Sequence, residues 1–160
     1  MTKELTTPFL AADVIIELTD RPGRPIVLIE RKNPPYGWAI PGGFVNRGQE
    51  SVEQAAVREV LEETSLSVRL TALLGIYSNP KRDTRFHTAS AVYIGQAQGT
   101  PRAADDAMNI RVVQIDEIPD ILAFDHSLVL ADYVVFRTEG RVAPLRDESN
   151  HHDIQIPNAH

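Results

Sequence analysis

Three glutamates on one predicted helix are the residues of this sequence best suited to chemistry. Glu59, Glu62 and Glu63 occur at positions i, i+3 and i+4, directly after Arg58. Residues at this spacing are neighbours on a helix surface, so three negative charges crowd together. A divalent cation relieves this repulsion, because Mg²⁺ binds carboxylate oxygens and keeps positions free for substrate phosphates. The alternative is a water-exposed acidic face, and the helix alone does not separate the two.

A glycine-rich loop precedes this helix and favours the metal site. Gly42 and Gly43 begin the stretch that leads to Glu50. Because glycine has no side chain, its backbone carbonyl or N–H group can approach a metal ion or a phosphate closely. Loop and helix together indicate a site where a divalent cation acts on a phosphorylated substrate.

The helix is predicted to begin after Ser51 and to extend to about residue 64. Ser51 and Gln54 have the spacing of a capping box, in which each side chain accepts a backbone hydrogen bond. A helical wheel places the three glutamates opposite an apolar face. The predicted core face comprises Val57, Val60, Leu61 and Thr64. Ala55 and Ala56 border the acidic side, where small side chains leave room for a substrate.

Strands dominate the rest of the predicted secondary structure. Apolar and β-branched runs predict strands at Phe9–Leu18, Ile26–Arg31, 38–40, 66–77, 86–96 and 110–115, and the first two form a hairpin. Helical spacing of apolar residues predicts a second helix at 126–137. We therefore expect an α+β fold in which a mixed sheet lies between two helices. We expect one domain over residues 1–145 and a polar tail over 146–160.

Composition and charge narrow the function classes. A chain of 160 residues with 42% hydrophobic content is long enough for one domain with a buried core. The absence of cysteine excludes disulfides and thiolate metal sites. A net charge of −6 argues against a nucleic-acid partner, since such surfaces are usually basic. The sequence has no apolar run of membrane-spanning length and no signal-peptide pattern at Met1, so we expect no membrane partner and a cytoplasmic location.

Residues 41–66 resemble the Nudix box. The family pattern is Gly, five residues, Glu, seven residues, then Arg-Glu-apolar-x-Glu-Glu-x-Gly-apolar, and the chain follows it with Gly43, Glu50 and residues 58–66. Two features depart from the pattern: six residues separate Gly43 from Glu50, and Ser65 replaces the last glycine. The first predicts a bulged loop and the second an altered helix end. Neither affects the carboxylates.

The resemblance implies a hydrolase that depends on Mg²⁺, with Mn²⁺ as an alternative ion. The implied metal ligands are the carbonyl of Gly42 and the carboxylates of Glu59, Glu62 and Glu63. The implied catalytic residues are Arg58, Glu59, Glu62 and Glu63, with Arg58 and Glu50 as orienting groups. The general base stays open among Glu62, Glu63, Asp105 and Asp106.

A second segment indicates a branch of the family. Residues 77–87 resemble the Tyr-Ser-x-Pro-x-Arg-Asp-Pro-Arg segment of ADP-ribose pyrophosphatases, with Pro80 at the signature position and Thr84 in place of the second proline. Cations on this loop suit a diphosphate, because charge-assisted hydrogen bonds to phosphate oxygens are strong. The predicted substrate-binding residues are Phe44, Pro80, Lys81, Arg82 and Arg85. Candidates to stack on an adenine are Tyr36, Trp38 and Phe44, although aromatic residues more often pack in a core.

These features predict an enzyme that hydrolyses ADP-ribose, or a related ADP-sugar, to AMP and ribose 5-phosphate. Two alternatives stay open: a Nudix hydrolase of nucleoside triphosphates or dinucleoside polyphosphates, and a non-catalytic ADP-ribose-binding sensor. Pro80 favours the ADP-sugar, and the complete set of glutamates argues against the sensor. The expected partner is a small nucleoside diphosphate derivative, and the family branch implies a homodimer.

Overall fold

The computed structural model describes residues 4–146 and shows a seven-stranded sheet with a helix on each face. The strands are β1 (Phe9–Leu18), β2 (Ile26–Arg31), β3 (Trp38–Ala39), β4 (Gly42–Phe44), β5 (Arg69–Tyr77), β6 (Thr88–Ala97) and β7 (Ala107–Val113). The helices are α1 (Val52–Thr64) and α2 (His126–Glu139), and a short 3-10 turn spans Ile115–Glu117. Neither helix found in residues 4–146 is long and apolar enough to cross a membrane.

Strand β1 organises the sheet and the site. It pairs in parallel with β6 along its whole length. Its other edge is shared, because β4 pairs with its first half at Asp13↔Gly42 and β2 pairs with its far end at Glu17↔Ile26. Strands β3 and β7 extend the sheet from β2, and β5 extends it from β6. This order places the glycine strand β4 directly beside Asp13.

Two apolar clusters cover the two faces of the sheet. Alternate β1 side chains belong to different clusters, Val14 and Ile16 to one and Ile15 to the other, as the pleat of a strand requires. Helix α1 packs against the first cluster through Val60, and α2 packs against the second through Leu130. This arrangement confirms the predicted α+β fold with a mixed sheet between two helices.

The buried face of α1 differs from the prediction. Val57 and Leu61 are 39% and 52% exposed, whereas Ala55 and Ala56 are completely buried together with Val60. Helix α1 contacts β1 and the glycine-bearing strand β4, so only small side chains fit at the closest approach. A helical wheel shows where apolar residues lie around the helix but contains no information about the strands that the helix packs against.

The ends of α1 follow the predicted capping chemistry. The Gln54 N–H donates to the Ser51 hydroxyl at 3.2 Å, and the Ser51 N–H donates to the Gln54 side chain at 2.8 Å, which confirms the capping box. Ser65 ends the helix with a φ of 61°, and its N–H donates to the Leu61 carbonyl at 3.0 Å. Ser65 therefore adopts the left-handed conformation in which helix ends favour glycine.

Several element bounds differ from the predicted ones. The structure adds β4, which the glycines of this segment conceal because glycine has a low strand propensity. Strand β5 begins at residue 69 instead of 66, and β7 begins at residue 107 instead of 110. Of the predicted tail, Arg146 donates to the Asp132 carboxylate at 2.7 Å, and residues 147–160 lie outside the described residues.

Candidate active site

A cavity of about 240 Å³ lies beside β4 and is lined by both acidic and basic side chains. The term acidic wall denotes Asp13, Glu59 and Glu63, whose charges act on one another, and the term basic wall denotes Arg31, Arg82 and Arg85. The acidic residues lining it are Asp13, Glu59, Glu63, Asp83 and Asp106. The basic residues lining it are Arg31, Arg82 and Arg85, and the aromatic residues are Phe44 and Phe124. The fold thus brings the predicted glutamate helix and the predicted cation loop to one site.

Burial disfavours the ionised form of the carboxylates in the acidic wall. Glu63 is only 4% exposed, and its Oε2 accepts the Gly42 N–H at 2.9 Å. Burial, followed by the charges of Glu59 and Asp13, raises the pKa of Glu63 to about 8 despite that hydrogen bond. Burial also raises the pKa of Glu59, and it raises the pKa of Asp13 to about 6. A positive group at this wall stabilises all three carboxylates.

The carboxylates lie so close to the two glycines of β4 that neither position has room for a side chain. A Cβ atom at Gly43 would lie 2.5 Å from the Glu59 carboxyl carbon. A Cβ atom at Gly42 would overlap the Asp13 carboxylate and the Ala12 carbonyl. The groups that approach these glycines closely are carboxylates of α1 and β1. The predicted approach of a metal ion or a phosphate to the glycine backbone stays a prediction.

Arg58 joins the remaining glutamates into one network. Its Nε and Nη2 donate to Glu50 at 2.9 and 2.7 Å, and its Nη1 donates to Glu59 at 2.7 Å and to Glu62 at 3.0 Å. Its Nη2 also donates to the Phe44 carbonyl at 3.0 Å. The Glu62 side chain is 42% exposed and does not line the cavity, so its role as a metal ligand stays a prediction.

The loop before Glu50, which is one residue longer than in the Nudix pattern, accommodates the additional residue by forming a turn. Gly48 has a φ of 75°, and the Gln49 N–H donates to the Asn46 carbonyl at 3.0 Å. The turn returns Glu50 to a position where it accepts the Asn46 N–H at 2.8 Å and pairs with Arg58. The longer loop therefore keeps the contact between the loop glutamate and the helix arginine.

The cations of loop 78–87 have different partners. Arg82 is buried and forms a two-bond ion pair with Asp125 at 2.7 and 3.0 Å. Arg85 pairs with Asp83 at 2.9 Å, and one third of its side chain is exposed. Lys81 and Pro80 are exposed and do not line the cavity. The substrate-binding roles of these residues stay predictions, and the geometry favours Arg85.

The donor chemistry of the acidic wall fits a divalent cation. Within residues 4–146 no three carboxylate or imidazole side chains are already gathered as a metal cage, because Arg58 holds Glu59 and Glu62 while Gly42 holds Glu63. However, Glu59 and Glu63 face one cavity beside the backbone of Gly42, and oxygen atoms are the ligands that Mg²⁺ prefers.

Comparison with known proteins places the chain in a family. The model of the NUDIX domain matches residues 8–133. The chain belongs to the Nudix family. An ADP-ribose pyrophosphatase of Methanocaldococcus jannaschii is 44% identical over 130 residues, which are 79% of this chain and 73% of the relative. Family membership and this relative together identify the chain as a hydrolase that acts on phosphorus anhydrides.

Two solved structures have the same fold. A MutT/nudix family protein from Enterococcus faecalis superposes with a TM-score of 0.71 at 25% identity. The match covers 86% of this chain and 65% of the chain of that protein. A bifunctional NMN adenylyltransferase/ADP ribose pyrophosphatase from Francisella tularensis, complexed with AMP and a Mn ion, has a TM-score of 0.68 at 25% identity. The match covers 85% of this chain and 43% of that protein.

Some cavity residues lie outside the Nudix box and have no predicted role. Arg31 ends β2 and Phe124 precedes α2, so only the tertiary fold brings them to the cavity. Of the two candidate general bases on this loop, Asp106 lines the cavity and Asp105 does not, so the geometry favours Asp106. Of the three predicted stacking residues, only Phe44 lines this cavity among the described residues.

A buried histidine supports the cavity floor. His126 is 2% exposed, and its Nδ1 accepts the Ile40 N–H at 3.0 Å. Burial, followed by the charges of Arg82 and Arg31, lowers the pKa of His126 from 6.5 to about 3. The neutral imidazole is therefore the form that fits the folded Nudix domain.

We expect His126 to make the domain sensitive to acid. Between the unfolded pKa of 6.5 and the folded pKa of about 3, the unfolded chain binds an additional proton, so stability present above 6.5 is lost as the pH falls. Replacing His126 by Asn keeps an acceptor for Ile40 and removes this proton. Between about pH 7 and pH 4.5, wild type should lose about 2–3 kcal/mol of unfolding free energy relative to His126→Asn.

Urea unfolding at each pH measures this difference. His87→Asn is the control, because His87 is exposed and its side chain hydrogen-bonds only to the Ser78 carbonyl among the partners found in residues 4–146. Equal pH slopes for wild type and His126→Asn would contradict the neutral, buried state of His126.

Proposed function

We propose that the chain hydrolyses the diphosphate of ADP-ribose, or of a related ADP-sugar, to AMP and ribose 5-phosphate. The observation that carries this proposal is one cavity lined by Glu59 and Glu63 and also by Arg31 and Arg85. Such a cavity suits a divalent cation and a diphosphate side by side. The relative that is 44% identical, named an ADP-ribose pyrophosphatase, supports the choice of substrate.

The metal ligands in this proposal are Glu59, Glu63 and the backbone carbonyl of Gly42, with Glu62 as a further predicted ligand. Mg²⁺ is the proposed ion and Mn²⁺ is the alternative. When bound, such a cation neutralises charge on the phosphate oxygens and acidifies the attacking water. Arg58 orients Glu59 through the 2.7 Å ion pair between them.

The basic wall binds the substrate in this proposal. Arg85 and Arg31 donate to the diphosphate oxygens, because guanidinium groups match the geometry of phosphate oxygens. Arg82 is paired with Asp125 and fixes the loop that carries Arg85. Pro80 and Lys81 precede Arg82 on the same loop and are exposed, and in this proposal they contact the part of the substrate outside the cavity.

An aromatic surface beside the basic wall suits a nucleobase. The ring of Phe44 lies 5.8 Å from that of Phe9 and 5.7 Å from that of Phe86, and the Cζ atom of Arg85 lies 5.6 Å from the Phe44 ring. Phe9 and Phe86 are 56% and 40% exposed. An adenine stacked on these rings would leave its diphosphate within the reach of Arg85.

Hydrolysis requires that one water molecule attack a phosphorus atom and lose a proton. The proton acceptor stays open among Glu62, Glu63 and the acids of the loop before β7, of which Asp106 lines the cavity. Positioning and charge stabilisation dominate this kind of chemistry, since the protein itself forms no covalent bond. A homodimer and a cytoplasmic location stay predictions of the family resemblance and of the sequence.

A substrate panel tests the proposal against its alternatives. Purified protein with Mg²⁺ is given ADP-ribose, nucleoside triphosphates and dinucleoside polyphosphates, and kcat/KM is compared. We expect ADP-ribose to be preferred by about tenfold or more, a difference of about 1.4 kcal/mol in transition-state binding. Cleavage of triphosphates alone would contradict the proposal, and tight ADP-ribose binding without turnover would identify a sensor.

A further inference from the structure

Phe124 contacts two arginines of the cavity at once. Its ring centroid lies 4.7 Å from the Cζ atom of Arg31 and 5.4 Å from the Cζ atom of Arg85. Both distances are within the range of cation–π attraction. Burial, followed by the charge of Arg85, lowers the pKa of Arg31, so the two guanidinium groups repel one another. The negative face of the ring offsets part of this repulsion.

The backbone of Phe124 is held in an unfavourable conformation. Its φ of 56° lies in the left-handed region, which a bulky residue rarely adopts. Both neighbours are fixed: the Ala123 N–H donates to the Trp38 carbonyl at 2.9 Å, and Asp125 is paired with Arg82. Its ring also packs against His126, with 5.2 Å between the ring centroids. Strain of this kind persists where the surroundings determine it, and it concentrates at functional sites.

The two arginines share one directly bonded carboxylate, that of Asp83, while the charges of Glu63 and Asp106 act on Arg31 without a direct bond. Nε and Nη2 of Arg85 both donate to Asp83, whereas Nε of Arg31 donates to a carbonyl, that of Pro35, at 2.8 Å. Within residues 4–146, Arg31 forms no ion pair, and neither of its Nη atoms donates a hydrogen bond. Two adjacent guanidinium groups with one bonded carboxylate suit a ligand with two linked negative centres.

We propose that Phe124 is a positioning residue that holds Arg31 and Arg85 as a pair for the two phosphates of a diphosphate. This inference rests on the proposed function in one respect: the diphosphate that binds the two arginines is taken to be the one that the enzyme cleaves. A diphosphate engages both guanidinium groups, whereas a monophosphate engages one. The ring therefore sets a preference for diphosphates, and monophosphate products leave more easily than the substrate.

Binding of two simple anions tests this role. Inorganic diphosphate and inorganic phosphate are titrated into wild type and Phe124→Leu at one fixed free Mg²⁺ concentration. We expect the leucine variant to bind diphosphate about tenfold more weakly and phosphate within about twofold of wild type, because it loses two cation–π contacts. Phe124→Tyr keeps the ring and should stay within about twofold for both anions. Phe136→Leu, on the core side of α2, is the matched control.

A glycine variant separates the ring from the backbone. Phe124→Gly relieves the left-handed strain and removes the ring, and we expect it to lose diphosphate selectivity as the leucine variant does. A thermal unfolding curve reports whether the variant is folded. Wild-type selectivity in either variant, or an equal loss for both anions, would overturn the proposal.

Turnover of ADP-ribose by wild type is measured alongside. If wild type does not cleave ADP-ribose but Phe124→Leu loses diphosphate selectivity, the arginine pair stands and the proposed function fails. If ADP-ribose is cleaved and selectivity is unchanged in Phe124→Leu, the proposed function stands and the role of Phe124 is wrong.

Discussion

We expect Glu63→Gln to lower kcat for ADP-ribose by about two orders of magnitude or more and to leave the protein folded. Glu63 is buried at the cavity wall beside Glu59 and Asp13, and burial raises its pKa to about 8. A cation at this wall stabilises the anionic form, which is the form that binds metal. Glutamine keeps an oxygen for the Gly42 N–H but has no charge for the cation.

Steady-state kinetics and a thermal unfolding curve measure the two parts of this prediction. Glu53→Gln is the matched control, since Glu53 lies on the same helix, is exposed and does not line the cavity. It should keep wild-type turnover. Near-normal turnover of Glu63→Gln would contradict the assignment of Glu63 to the metal site.

We expect Arg58→Lys to raise the Mg²⁺ concentration needed for half-maximal activity by about 10–100-fold, the usual effect of losing a group that orients a metal ligand. Arg58 donates five hydrogen bonds, to Glu50, Glu59, Glu62 and the Phe44 carbonyl. A lysine keeps the positive charge but cannot reproduce the planar fork that reaches Glu50 and Glu59 together. Glu59 then loses its fixed orientation beside Gly43.

Activity titrated against Mg²⁺ measures this effect, and circular dichroism reports whether α1 stays folded. The control is Arg141→Lys, because Arg141 forms an exposed ion pair with Glu139 away from the cavity. An unchanged Mg²⁺ requirement in Arg58→Lys would show that the orientation of Glu59 does not depend on the guanidinium group.

The sequence predicts the fold well where the pattern is local. Strands β1 and β2 have the predicted bounds, Phe9–Leu18 and Ile26–Arg31, because each apolar run stops at the Pro- and Gly-containing turn between them. The capping box of α1 is equally local. Strand β4 is not predictable from propensity, since its hydrogen bonds to β1 outweigh the low strand propensity of Gly42 and Gly43.

In the candidate site, too, features with a local sequence signal are predictable and features set by tertiary contacts are not. The spacing of Glu59 and Glu63 on a helix after a glycine loop is a local signal, and both residues line the cavity. The buried face of α1 depends on what the helix contacts, so Leu61 was predicted inside and lies 52% exposed. The contact of Phe124 with Arg31 joins distant parts of the chain, which no spacing rule encodes.

One measurement tests the central claim most directly. ADP-ribose is incubated with wild-type protein in ¹⁸O-labelled water with Mg²⁺, and the products are identified by mass spectrometry before and after the metal is removed with a chelator. We expect AMP and ribose 5-phosphate, with ¹⁸O in one of the two phosphates and no products without metal, because water attacks one phosphorus atom with the help of a bound cation. Products other than these two, or turnover that persists without any divalent cation, would contradict the account.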